Sequence, residues 1–292
     1  MALELHSITF AAMRILLLFC FVFASSFQYV PVNPCRLILE EMIVGIQNMN
    51  TYEFKVESKE LVDGEYLRSV AEVKAQNVPF RIYMKIVTEE KGPEILYDEG
   101  KRDGDVLITP NGFPYFNLKL NPDGWIMRKD RHHNIKTAGF HYVAGMMEWS
   151  QRTAGKNYDR YFKYLGDTVY NGQDCHVLMI DVFDFRFVDY TVQKGERIDR
   201  IAERMFLNDY MIVDKNPDVD DFEDVREGQV IKLPSAYGRK IVMFIHKQQL
   251  IPYYQEIHDE KGVYESYSYE YIRKDAKLTE LDFSPDNPEY GF

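Results

Sequence analysis

Three cysteines and two tryptophans are all that 292 residues contain. A disulfide scaffold or a cysteine-rich metal fold is thereby excluded, and the chain is long enough to rest on an ordinary hydrophobic core. Positive charge is also in deficit: 35 Lys and Arg stand against 46 Asp and Glu, a net charge of -11. The long-range field of that charge repels phosphate backbones and anionic lipid surfaces, so nucleic acid is not an expected partner. Short catalytic signatures are missing too. There is no G-x-S-x-G elbow, no G-x-G-x-x-G after a strand, no phosphate loop and no H-E-x-x-H, and without them no enzymatic activity, catalytic residue, cofactor or metal centre is expected. Past residue 26 no apolar run is long enough to cross a hydrocarbon layer of about 30 Å.

The N-terminus holds the longest apolar run. Arg14 precedes Ile15–Ala24, which is too short to span a bilayer but suits a secretory signal core, with Ala24 and Ser26 at cleavage spacing. Glu4 makes the first residues a poor signal start, so Met13 reads as the natural one, and Cys20 lacks the small residues that precede a lipid-attached cysteine. Residues 1–26 are expected to be a signal peptide, and the mature chain is expected in the periplasm of a Gram-negative cell with no transmembrane segment. Cys35 and Cys175 remain after cleavage. Two readings of them stay open, a disulfide between them and two buried thiols.

Apolar residues at Leu37, Ile38, Met42, Ile43 and Ile46 mark one helical face, and a second helix is expected over roughly Thr137 to Arg152. From Thr51 the period changes to two. Tyr52, Phe54 and Val56 alternate with Glu53, Lys55 and Glu57, as do Phe80, Ile82, Met84 and Ile86 with Arg81, Tyr83 and Lys85. Gly- and Pro-containing turns separate such runs at short intervals, the rhythm of an antiparallel meander. The Tyr-rich run Tyr264–Tyr271 alternates Tyr264, Ser266, Ser268 and Glu270 with Glu265, Tyr267, Tyr269 and Tyr271, so pairing register and not hydrophobicity alone must place its faces. The sheet is interrupted once, between Asp189 and Tyr237, by a strand, helix, short helix and strand with its own apolar stripe at Ile198, Ile201, Ala202 and Met205.

That interruption, "YTVQKGERIDRIA" followed by "NPDVDDFEDVREGQVIKLP", resembles a LysM module. The resemblance implies a shallow groove for N-acetylglucosamine-containing glycan such as peptidoglycan, built from Gly195, Glu196, Arg197 and Ile198 on one side and Asn216, Pro217 and Asp218 on the other. Two departures bear on it: Arg197 stands where a small hydroxyl residue is usual, and the second loop carries Asp218, Asp220, Asp221, Glu223 and Asp224. A long charged side chain fills a sugar groove, so a unit that has lost glycan binding is the competing reading.

The rest of the chain, in "VPFRIYMKI", "EILYDEGKRDGDVLI", "RHHNI", "HDEKGVYESYSYEY" and "FSPDNPEYGF", resembles the secreted family called domain of unknown function 1571. Its architecture is similar to that of LolA/LolB-like carriers. The expected fold is therefore α+β: a curved antiparallel half-barrel over residues 27–188 and 238–292, wrapped around helices, with a LysM-like insertion at 189–237. The resemblance implies an apolar cavity for a hydrophobic ligand, a lipid or a lipoprotein acyl chain. The alternative is a protein-interaction scaffold whose cavity its own side chains fill; a wall hydrolase with a targeting module ranks below both. Arg131, His132 and His133 read as a locally bonded surface turn, with adjacent histidines facing apart and so ill placed for one metal. His176 and Cys175 likewise face apart on a strand. Trp125 and Trp149 read as covers of a core edge.

Overall fold

A computed structural model describes residues 32–88 and 92–292. The expected signal segment, with Met13, Cys20 and the cleavage residues, lies outside the described residues. The first helix, α1 (Pro34–Gln47), buries Ile38, Met42, Ile43 and Ile46 of the face its spacing predicts, while Leu37 is exposed and Leu39 takes its place in the core. Strands β1 (Thr51–Val62), β2 (Glu65–Gln76), β3 (Arg81–Ile86), β4 (Glu94–Asp98), β5 (Val106–Thr109) and β6 (Leu118–Leu120) follow as a meander. After the short helix α2 (Trp125–Arg128) and the long helix α3 (Phe140–Ala154), a single turn, α4 (Tyr158–Tyr161), leads into β7 (Phe162–Tyr170) and β8 (Gln173–Asp181).

The chain then leaves the sheet. β9 (Phe187–Thr191), α5 (Ile198–Met205), α6 (Asp209–Lys215) and β10 (Val230–Pro234) come before the return as β11 (Lys240–His246), β12 (Pro252–His258) and β13 (Val263–Lys274). Eleven strands form one open antiparallel sheet in the order β6-β5-β4-β3-β2-β1-β13-β12-β11-β8-β7, while β9 and β10 pair only with each other. The fold is α+β, a curved antiparallel sheet with few helices. One row of inward residues runs across it by register. Phe54 pairs with Val73, Val73 with Met84 and Met84 with Ile95; on the other side Ile257 pairs with Ile241, and Ile241 with Ile180. Helices α1 and α3 close this face in one core. The second helix begins at Phe140 and not at Thr137, because Asn134 caps a separate 3-10 turn over Ile135–Thr137 and Gly139 takes an extended conformation that starts α3.

Residues between β9 and β10 have a core of their own, made by Val192, Ile198, Ile201, Ala202, Leu207, Ile212, Val219, Phe222, Ile231 and Leu233. Tyr237 belongs to the main core instead. The smaller unit meets α3 through Phe206, which ends α5 in a left-handed conformation. Its ring lies so close over Gly145 that a Cβ there would meet it at 2.8 Å, with Tyr142 and Trp149 flanking it at 5.7 and 6.1 Å between ring centres. Glycine at position 145 is what makes that socket.

Candidate functional site

Between the inward face of β1–β4 and helix α3 lies a cavity of about 530 Å³. Phe54, Val56, Ala71, Met84, Ile86 and Ile95 line it from the strands, Phe140, Val143 and Met146 from the helix. Phe140 is fixed by Phe54 and Tyr269, at 5.0 and 5.1 Å between ring centres, so one end is a rigid aromatic wall. The other end is polar: Glu60, His133, Tyr237, Gln255, Glu265 and Tyr267 line it there. A smaller cavity of about 240 Å³ lies behind that end, against α5, and shares His133, Asn134, Thr137, Tyr142 and Tyr237 with the larger one.

The polar end is built by register. Glu60 of β1 stands directly opposite Glu265 of β13, two like charges on neighbouring strands, an arrangement that is unfavourable unless a cation answers it. His132 supplies that cation. Its backbone N–H donates to Glu60 Oε2 at 3.0 Å, its Nδ1 lies 2.8 Å from Glu265 Oε2, and its Nε2 lies 2.8 Å from the Leu61 carbonyl. With acceptors at both ring nitrogens the ring must donate twice, which only the imidazolium does. Tyr210 and Tyr264 sandwich it, each 4.5 Å away between ring centres, an aromatic seat for a buried cation.

Glu265 also accepts from Asn208 Nδ2 at 3.1 Å and the Tyr237 hydroxyl at 2.9 Å, and the Tyr267 hydroxyl, which donates to Glu60 Oε1 at 2.7 Å, lies 3.3 Å from it. His133 Nε2 comes within 3.5 Å of the same carboxylate. Burial alone would raise the Glu265 carboxyl, but the attraction of His133 and the hydrogen bond from His132 hold it well below the ordinary carboxylate range. Burial pulls the His132 imidazolium down, and its bond to Glu265 with the charges of Glu265 and Glu60 more than offsets this, so it stands above its ordinary value. The Tyr237 hydroxyl is pushed far up by burial and by Glu265.

Ordinary carboxylate and imidazole values are about 4.3 and 6.5. Depressed Glu265 contributes stability that is complete above the first and lost as pH falls toward its folded value. Raised His132 contributes stability that is complete below the second and lost as pH rises through its folded value. Between pH about 6 and about 9 the melting temperature is therefore expected to fall by several degrees, and by less in His132→Gln. Equal slopes in the two proteins, measured by thermal denaturation, would remove His132 from this role.

The expected surface turn at Arg131–His133 is corrected here. Arg131 is exposed, but His132 is buried and bonded to a residue 133 positions away. The two histidine rings converge on one carboxylate instead of facing apart, because residues 129–134 form a turn and not a strand. Among the described residues no group of three His, Cys, Asp or Glu is set to hold a metal. His141 packs against the Phe80 ring at 4.6 Å between ring centres.

Cys35 and Cys175 are buried thiols and no bond joins them. Cys35 lies against the Tyr158 hydroxyl, and burial pushes it up to about 12. Cys175 sits on β8 opposite Thr168 and His246, and burial pushes it up to about 11; each thiol has its own surroundings. His176, on the other face of that strand, bonds Asp167 at 2.8 Å. Trp125 opens α2 and is exposed, so it covers no core edge, whereas Trp149 packs against Phe206.

The seven expected glycan contacts lie on the smaller unit. Gly195 makes the turn at φ +75. Glu196 accepts from the Gln193 N–H, the Tyr190 hydroxyl and Arg204. Arg197 bonds Asp199 through two nitrogens and Glu223 across the second loop at 2.8 Å. Ile198 is buried, and its N–H donates to the Phe222 carbonyl at 2.9 Å. Asn216 is buried and spent on Ile212 and Lys232 backbone groups, while Pro217 and Asp218 are exposed. The structure thus brings the two loops together but joins them to each other. Arg128 covers Phe222 with its guanidinium 3.9 Å from the ring centre and pairs with Asp209 at 2.9 Å, tying the unit to the main body. Sequence reading found none of Glu60, Glu265, Tyr237 or Asn208, since only strand pairing and the return of the chain bring them together.

No curated protein matches the chain. Solved structures to which the chain is similar include a putative outer membrane lipoprotein-sorting protein domain from Vibrio parahaemolyticus, 13% identical over 85% of this chain and 95% of that one, with TM-score 0.34. A LolA superfamily protein from Nitrosomonas europaea is 11% identical over 86% and 98%, TM-score 0.34. The lipoprotein LppX of Mycobacterium tuberculosis is 9% identical over 84% and 97%, TM-score 0.40. Residues 49–187, ending on the first residue of β9, match the model of the family described as protein of unknown function, DUF1571.

Proposed function

We propose that the chain binds a hydrophobic ligand, an acyl chain or a lipid, in the cavity between β1–β4 and α3, and carries it in a compartment outside the cytoplasm. The observation that supports this most directly is a cavity of about 530 Å³, within the range of small-molecule sites, where Phe54, Val56, Ala71, Met84, Ile86 and Ile95 form an apolar stretch of its strand side away from the polar end. Side chains that could have filled it, such as those of Phe140 and Tyr269, instead pack against each other at its wall. A scaffold with a packed interior would have no reason to leave this space. The polar end gives the ligand a fixed orientation, because its charges and hydroxyls are already hydrogen-bonded and take an apolar chain poorly.

For the smaller unit we propose a role as a wall of the smaller cavity behind the polar end and not as a glycan-binding module. Arg197, Glu223, Ile198 and Phe222 close its two loops on each other, and a sugar would have to break that closure. Native mass spectrometry of the purified chain tests the main reading: a co-purified lipid mass that is lost on delipidation and regained on incubation with phospholipid is expected. Protein that is always ligand-free and takes up no lipid would overturn it.

A further inference from the structure

No charged residue occurs between Asp105 and Lys119, and the loop from β5 to β6 in that interval holds three aromatic side chains in water. Phe113 is 86% exposed, Tyr115 84% and Phe116 61%. An isolated exposed apolar residue needs no explanation, whereas several aromatics together on one loop mark a contact surface. The loop is fixed at its root: Asn111 donates to the Gly92 carbonyl at 2.8 Å, next to Pro93 at the cavity mouth. Thr109, where β5 ends, pairs with Glu94 in the next strand. The aromatic loop therefore rises from the sheet end at which Leu67, Thr88 and Pro93 line the opening.

A second exposed segment reaches the same opening. In α2 Trp125 is 66% exposed and Ile126 is exposed beside it, while the next residue, Met127, lines the cavity with Lys129 and Arg131. Arg128 is the anchor of this segment, buried against Asp209 and Phe222. Lys129 and Arg131 are exposed, and among the described residues no carboxylate pairs with either side chain. Aromatic groups with polar edges beside unanswered cations fit the interface of a bilayer, where rings enter the headgroup layer and cations meet phosphate. The net charge of -11 opposes approach to an anionic surface, but beyond about 10 Å that repulsion is screened at ordinary salt, and contact is decided by the residues at the rim.

We propose that this rim, the 113–116 loop with Trp125, Ile126, Lys129 and Arg131, docks on a lipid bilayer, so that an apolar ligand passes between membrane and cavity without crossing water. The docking extends the carrier reading, and its test needs no cavity ligand, so either fails without the other. Trp149→Phe leaves Trp125 as the one tryptophan reporter. With phosphatidylcholine vesicles containing a minority of phosphatidylglycerol, its emission is expected to shift to the blue and to be quenched by brominated acyl chains. Joint replacement of Phe113, Tyr115 and Phe116 by Ser is expected to lower the vesicle-bound fraction about tenfold or more, while uptake of N-phenylnaphthylamine into the cavity is unchanged. Lys129→Ala with Arg131→Ala is expected to remove the preference for vesicles containing phosphatidylglycerol over phosphatidylcholine alone. No blue shift on either vesicle, or full binding by the triple variant, overturns the proposal. Self-association seen by light scattering without vesicle binding, abolished by the triple variant, would assign the surface to a second copy and overturn it as well.

Discussion

Glu265→Ala is expected to lower the unfolding free energy by about 3–5 kcal/mol, the range for removing one partner of a buried ion pair. The carboxylate is wholly buried and answers His132, Asn208, Tyr237 and Tyr267 together. Without it a buried imidazolium faces Glu60 alone, and the Tyr237 hydroxyl and the Asn208 amide lose an acceptor, while the Tyr267 hydroxyl keeps Glu60. The damage is expected to be uneven. Asn208 also caps α6 through the Met211 N–H at 3.0 Å, so the β9–β10 unit loses both its anchor to β13 and the alignment of a helix start. Hydrogen exchange should rise there before it rises in the β1–β13 ladder. Glu265→Gln is expected to cost less, about 1–3 kcal/mol, because a neutral His132 can keep its bond to Leu61 and accept from the new amide. Urea denaturation followed by circular dichroism measures both. An alanine variant within about 1 kcal/mol of the parent would show that the cluster does not hold the two parts together.

The parts of this fold governed by local rules were legible in the sequence. Alternation in β1 and β3 and the stripe of α1 each express a periodicity that burial enforces, and the Gly-rich turns separate one strand from the next. The polar end of the cavity was not legible, for a physical reason. Glu60 and Glu265 meet only because β1 pairs with β13 across 205 positions at one register; a shift by one residue would put them on opposite faces of the sheet. In the run Tyr264–Tyr271 hydrophobicity alone did not place the faces, and the structure buries residues of both at one end. Glu265, Tyr267 and Tyr269 face the cavity, while Tyr264 is buried against His132. Two adjacent histidines in a turn carry no periodic signal at all. What did show in the sequence was Arg197 out of place in the LysM-like pattern, and the structure spends that side chain on Asp199 and Glu223.

Ala71→Phe is expected to abolish ligand uptake, with a loss of affinity of more than tenfold for N-phenylnaphthylamine, while leaving the protein folded. Ala71 is buried on β2, opposite Val56 on one side and Ile86 on the other, and all three line the cavity. A small residue between two branched ones leaves the space where a chain lies; a phenyl ring from the same Cβ enters that space and meets the Phe54 and Phe140 rings. In a filled core such an insertion costs about 1–3 kcal/mol through strain. Here the ring replaces void and gains contacts, so stability is expected to stay level or rise, and that sign separates a working cavity from a packing defect. Glu265 lies at the far end of the same space, and its substitution is expected to alter stability first and uptake only through the loosened wall. Wild-type affinity in Ala71→Phe would place the ligand elsewhere and leave the cavity without its assigned role.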